Sequence, residues 1–244
     1  DDADGQILKT QAQREGLDCS RLVTLPGCRT TFTDAFASEE TGRRTHLYYP
    51  GTSGLLTPDH FQFEGSRERI LHLGLPGLHE QMDKPWNDDP NGWVTVLKSA
   101  RAAGIKTNLE LCSLAASRLV EVVTPCLGHL DYLIINDFEV AALAQRPVRH
   151  DEDVDLRDCL KNAKDVFERS SMELLVVHFP QGAIAMQRGA DPLVTSSVAV
   201  PKEAIAGSNG AGDAFTSGIL YGMHQGWRLR DALQLAHSAA AASM

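Results

Sequence analysis

Short apolar runs alternate along the chain with longer segments whose apolar residues recur at helical spacing. Ile70–Leu75, Ile105–Leu111, Asp131–Ile135 and Leu174–Phe179 have the length and bounding residues of buried strands. Between them, Asp88-Asp89-Pro90 opens a helix to about Ala103, stopped by Gly104, and Ser113–Val123, Asp137–Ala144 and Asp153–Arg169 read as helices. Ala183–Gln187 and Val194–Val200 are further strand candidates. Ala211–His224 and Leu229–Ala242 are two closing helices separated by Gly226. This order predicts an α/β domain with a largely parallel sheet flanked by helices. The front of the chain departs from it. Asp4–Glu15 is a short helix stopped at Gly16, and Leu22–Leu25, Thr30–Ala37 and Arg44–Tyr49 are β-prone runs with a turn cluster at Ser38–Gly42. They predict a small antiparallel patch, of the kind that serves as a lid or an interface. Thr57-Pro58-Asp59 has the form of a helix start.

Composition narrows the function. Within 244 residues, 32 Asp and Glu outweigh 23 Lys and Arg, a net charge of −9. No basic face is available for a nucleic-acid backbone or an anionic membrane surface. No apolar run reaches the length of a membrane span. The five cysteines are odd in number and show no CxxC spacing. They read as small buried hydrophobes in a reducing cytoplasm.

In open α/β sheets ligands bind outside the C-terminal ends of the strands. That rule points to Asn108, Asn136, Pro180 and the loop before Ala211. The loop is Gly207-Ser208-Asn209-Gly210-Ala211-Gly212-Asp213-Ala214-Phe215, glycine-rich and feeding straight into a helix. Helix N-terminal N–H groups and close backbone approach at glycine suit a phosphate. Asp213 lies beside that spot, where a carboxylate can take a proton from an attacking hydroxyl. A well-capped helix start is the plainer reading. The loop is neither a Walker A sequence nor a dinucleotide fingerprint.

Gly210-Ala211-Gly212-Asp213-Ala214-Phe215 resembles the C-terminal signature of the ribokinase-like, or pfkB, carbohydrate kinases. Other segments agree in the same order. Asp2–Leu8 and Gly16-Leu17-Asp18 look like early family segments, and Thr41-Gly42-Arg43-Arg44-Thr45 is similar to the lid's Gly-Glu-Arg-Thr. Pro50-Gly51-Thr52-Ser53 stands in the place of Pro-Gly-Ala-Asn, and Asn136-Asp137-Phe138-Glu139 matches Asn-x-x-Glu. The resemblance spans essentially the whole chain.

It implies transfer of the ATP γ-phosphoryl group to a sugar hydroxyl, usually a hydroxymethyl. Asp213 would be the base, and the N–H groups of Gly210, Ala211 and Gly212 would form the anion hole. Asn136 and Glu139 would hold Mg²⁺ and phosphate through water, although the same pair also reads as a helix cap. Asn209, His178 and Gly182 would lie on the nucleotide side. The implied division is an α/β kinase core at 1–18 and 51–244 and a β-strand lid at 19–50, with a homodimer through the lid and a small-molecule sugar as substrate. A nucleoside or vitamin alcohol as acceptor, or a catalytically weak sensing homologue, are the alternatives.

Several positions depart from the family pattern. Gly207 replaces an acidic residue of a loop that commonly binds a monovalent cation, which leaves cation activation open. His178-Phe179-Pro180-Gln181-Gly182-Ala183 replaces Thr-x-Gly-x-x-Gly, is one residue shorter, and loses a backbone donor at Pro180. Asn108 stands where many members carry an aspartate. The family's fold runs to roughly 300 residues, so the chain is expected to lack the first strand–helix units and the final helices.

Overall fold

The computed structural model describes residues 2–37, 44–112, 114–147, 154–205, 207 and 209–244. The chain opens with helix α1 (Ala3–Arg14), capped by Asp2, whose carboxylate accepts from the Gly5 and Thr30 amides. Strands β1 (Phe32–Ala37) and β2 (Arg44–Tyr49) pair antiparallel as a separate ribbon, with Phe32 opposite Tyr49. The two rings stack at 5.3 Å and Arg29 lies against both. Tyr48 donates to the Leu78 carbonyl at 3.0 Å, which ties the ribbon to the segment after the first strand of the main sheet.

That sheet has six strands in sequential order: β3 (Ile70–Leu73), β4 (Lys106–Leu109), β5 (Tyr132–Asn136), β6 (Leu174–Phe179), β7 (Gly182–Gln187) and β8 (Leu193–Ser196). Pairing is parallel from β3 to β6 and antiparallel from β6 to β8. Helices α2 (Gly92–Ala102), α3 (Ala116–Val123), α4 (Asp137–Leu143) and α5 (Leu156–Glu168) connect the parallel strands, and α6 (Ala211–Gln225) and α7 (Leu229–Ala242) close the chain. This is the ribokinase-like arrangement that the sequence implied, a mostly parallel sheet flanked by helices beside a small antiparallel sheet.

Strand alternation sorts the core into two faces. Leu73, Leu109, Leu133, Ile135, Leu175 and Val177 pack with Trp93, Leu97, Leu119, Val140 and Val166 of α2–α5. Tyr132, Ile134, Leu174, Val176, Ala183 and Ala185 pack with Phe215, Ile219, Leu233 and Ala236 of α6 and α7. The closing helices meet along glycine. A Cβ at Gly218 would strike the Ala236 backbone, and one at Gly222 would strike Ala232. Gly226, at φ +69°, ends α6 in the left-handed conformation that glycine adopts without strain.

Several expected elements shift. Leu22–Leu25 forms no strand; Leu22, Val23 and Leu25 line the rim of a pocket instead. Helix α2 starts three residues late: Asn91 caps it by accepting from the Val94 amide, and the Gly92 amide is taken by the Met82 carbonyl. Thr57-Pro58-Asp59 opens a single 3₁₀ turn, Pro58–His60, where the His60 ring completes the cap. Helix α3 begins at Ala116 rather than Ser113, and α5 at Leu156 under an Asp155 cap. The last sheet strand ends at Ser196, short of Val200. Cys126 and Cys159 are buried, but Cys19, Cys28 and Cys112 are only half-buried. The turn at Ser38–Gly42, most of the lid motif Thr41–Thr45, Ser113, Asp153 and Ser208 lie outside the described residues. Among the described residues no helix is long and apolar enough to cross a membrane.

Candidate active site

The strands β4, β5 and β6 deliver their C-terminal residues to one edge of the sheet. The register puts Asn136, at the end of β5, opposite His178 of β6. Helix α6 starts at the same edge. Gly210 precedes it at φ +79°, and no side chain caps this end. The first-turn N–H groups are therefore left for solvent or an anion, at the positive end of the helix dipole. Asp213 sits in that first turn, exposed, with its backbone carbonyl accepting from the Ser217 hydroxyl.

On one side of the α6 start lies a cavity of about 340 Å³. Asn136, Asp137, Phe138, His178 and Gly182 line it, together with Ala211, Gly212 and Phe215. Val198, Ala240, Ala241 and Met244 form its apolar wall. The His178 ring tilts against Phe215 at 5.1 Å, and its Cε1 is 3.6 Å from where a Gly212 Cβ would be. Burial, and then the neighbouring His237, push the His178 imidazole down to about 4. It is a neutral hydrogen-bonding group at pH 7. Gly182 has a packing reason for its identity, since a Cβ there would collide with the Thr195 carbonyl of β8.

Other titratable groups stand outside this cavity. Glu110 follows β4, and burial pushes its carboxyl up to about 8, with the charges of Asp213 and Glu139 adding to the rise. His72 of β3 approaches Glu110 Oε2 at 3.4 Å. Burial lowers the His72 imidazole while Asp213 acts in the opposite sense. His72 and Glu110 thus face each other at and just beyond the C-terminal ends of β3 and β4. Cys112 is pushed up to about 11, chiefly by burial, and is no nucleophile at neutral pH.

Asn136 and Glu139 hold each other first of all. Asn136 Oδ1 accepts from the Glu139 amide at 2.9 Å, and Glu139 Oε2 accepts from the Asn136 amide at 3.0 Å. This is the reciprocal cap of α4. Glu139 is buried, and that burial raises its carboxyl to about 7. Among the described residues no Lys or Arg pairs with it, and none of their His, Cys, Asp and Glu side chains form a cage of three or more. A buried carboxylate next to an amide oxygen fits a hard cation that keeps most of its water, as magnesium does, and does not fit a dedicated all-protein metal site.

The family model for pfkB family carbohydrate kinases matches residues 1–244. The chain belongs to that family. Membership makes this pfkB protein a phosphotransferase. No curated protein matches it in sequence. Its fold is similar to that of adenosine kinase from Sinorhizobium meliloti, with 20% identity and a TM-score of 0.73 over 98% of this chain and 68% of that one. A probable sugar kinase from Rhizobium etli CFN 42 gives 20% and 0.75 over 98% and 68%. Fructokinase from Vibrio cholerae O395, bound to fructose, ADP and calcium, gives 18% and 0.70 over 99% and 75%.

The pfkB protein's expected site residues mostly gather at this one edge. Gly210, Ala211, Gly212 and Asp213 form the helix start, and Asn136, His178 and Gly182 line the adjoining cavity. Asn209 is exposed and lies outside the cavity lining, and Glu139 is turned into its own helix cap. Asn108 is fully buried and bonded to His72 rather than facing the cavity. Trp93 is a core residue with no exposure, and its indole N–H is held by Asp83. Sequence reasoning missed Asp137, Glu110 and His72. Asp137 lay inside the Asn-x-x-Glu motif, and Glu110 at the end of a strand already identified. A larger pocket, about 480 Å³, is walled by residues such as Leu22, Leu55, Phe61, Phe63 and Leu71 and shares no residue with this edge.

Proposed function

We propose that this pfkB protein transfers the γ-phosphoryl group of ATP to a hydroxymethyl group of a sugar, with Asp213 as general base. The observation that carries the reading is the uncapped start of α6, which has Asp213 in its first turn and borders a partly apolar cavity. The apolar wall suits a nucleobase, and the N–H groups of Gly210, Ala211 and Gly212 suit the charge that develops on the transferred phosphoryl. His178, Asn209 and Gly182 belong to the nucleotide side, where a neutral imidazole donates or accepts without opposing Mg²⁺. Asn136 and Glu139 would hold Mg²⁺ through water. Bound there, the ion would offset phosphate charge. Asp213 then takes the hydroxyl proton as the acceptor oxygen attacks, and the exposure of its carboxylate leaves it reachable by substrate.

Residues 19–50, with the β1–β2 ribbon, act in this reading as a lid over the acceptor. Phe36 and Leu47 are exposed on that ribbon and suit a second copy of the chain. The cysteine pattern suits the cytoplasm. A nucleoside acceptor is the second reading, favoured by the fold's similarity to an adenosine kinase.

The test is ADP release from ATP and Mg²⁺ across a panel of sugars and nucleosides, with wild type beside Asp213→Asn. The variant is expected to lose about 10³-fold in kcat with an unchanged melting temperature. Near-normal turnover in the variant removes Asp213 from the base role. ATP binding without turnover on any acceptor points to a sensing homologue.

A further inference from the structure

We propose that Glu110 is an acceptor-binding residue that reads a second hydroxyl beside the one phosphorylated. The proposal rests on the reading of Asp213 as base.

The geometry begins with strand parity. His72 and Asn108 are direct neighbours in the β3–β4 register. Glu110, two residues beyond Asn108, falls on the same face of the sheet. That face is the one on which α6 lies. Asn108 Nδ2 donates to His72 Nδ1 at 2.7 Å, so His72 carries its proton on Nε2, which approaches Glu110 Oε2 at 3.4 Å. Asn108 has no exposure, yet its Oδ1 has no partner, and Glu110 Oε2 is likewise buried without a hydrogen bond. Buried polar atoms are normally paired, and two orphans two residues apart mark a place where a ligand or water completes the set. Neither the helix cap nor the nucleotide-side cavity uses them.

Burial and the charges of Asp213 and Glu139 keep Glu110 protonated near neutrality. A carboxylic acid offers one donor and one acceptor, the same pair that a hydroxyl offers in return. An acceptor with two neighbouring hydroxyls can give one to Asp213 and another to Glu110.

The experiment uses the full-length polypeptide with ribose, fructose and adenosine as acceptors, each beside its singly deoxygenated analogues. Glu110→Ala is expected to raise the acceptor KM about 10–100-fold and leave the ATP KM unchanged. One deoxy analogue should already show that loss in the wild type and suffer no further loss in the variant. Glu110→Gln, which keeps a donor and an acceptor, recovers most of the affinity. Glu110→Asp, which withdraws the carboxyl by one methylene, does not, and this pair serves if the alanine variant fails to fold. An unchanged acceptor KM in the alanine or aspartate variant overturns the proposal, as does an equal loss on every analogue. In both cases wild-type turnover leaves the kinase reading standing. A wild type that binds ATP and phosphorylates none of the acceptors overturns that reading and the proposal together.

Discussion

The two faces of the main sheet carry different duties. The face under α2–α5 carries Leu73, Leu109, Leu133, Leu175 and Ile184 in one continuous layer, and its buried Thr107 spends its hydroxyl on the His129 carbonyl and the Asp131 carboxylate. The face under α6 and α7 is apolar along the body of β5–β7, ends in Asn136 and His178 at the C-terminal edge, and carries His72, Asn108 and Glu110 at and just beyond the ends of β3 and β4. The candidate site residues stand where the second layer stops. A complete layer fixes the strands, and an incomplete one leaves polar groups that packing does not consume.

Adjacent residues of β5 test this division most strongly. Leu133 faces the complete layer and Ile134 the incomplete one, and both are fully buried. Leu133→Ala is expected to cost about 4 kcal/mol and Ile134→Ala about 3. Only the second should also weaken ATP binding, because it loosens the seat of α6. Denaturant melts and ATP titration check both, and equal effects on binding would erase the distinction between the faces.

Next in size is Glu110→Gln. The folded pKa of Glu110 is raised to about 8 from an ordinary 4.5, so the folded state holds its proton longer than the unfolded chain does. Stability from this group is present below about pH 4.5 and lost as pH rises towards 8. The glutamine variant should therefore be the more stable by about 2 kcal/mol at pH 7, with the gap closing near pH 5. His178 supplies the opposite slope. Its folded pKa is depressed to about 4 from 6.5, so its contribution is present above 6.5 and lost as pH falls towards 4. His178→Gln should flatten the acid limb of the stability curve by about 1–2 kcal/mol. The smallest effect is expected at Asn136→Ala, which removes the α4 cap for about 1 kcal/mol and should weaken metal-dependent nucleotide binding more than it lowers the melting temperature.

Legibility followed how local each signal was. The strand Leu174–Phe179 and the helix Leu229–Ala242 stand where their patterns put them, because an unbroken apolar run and a sustained helical period leave few alternatives. The start of α2 did not, because the Met82 carbonyl and the Asn91 cap decide it, and no acidic residue upstream signals either. Leu22–Leu25 has strand chemistry without a strand partner, and composition cannot supply one. Within the site, Gly210–Asp213 and Asn136–Glu139 are contiguous motifs and could be read directly. His72 and Glu110 are 38 positions apart in the sequence and meet only through the β3–β4 register. That register is a product of folding.

The glycine contact between α6 and α7 makes the two helices one mechanical part. Asp213 stands nine residues from Gly222, about 14 Å along the axis at the usual rise per residue. A side chain wedged between Gly222 and Ala232 would act as a lever, tilting the far end of the helix without touching a reacting group. A displacement of about 1 Å at a reacting centre can cost 10²-fold in rate, so with Asp213 as the proposed base, turnover would be sensitive to a seam far from the candidate site.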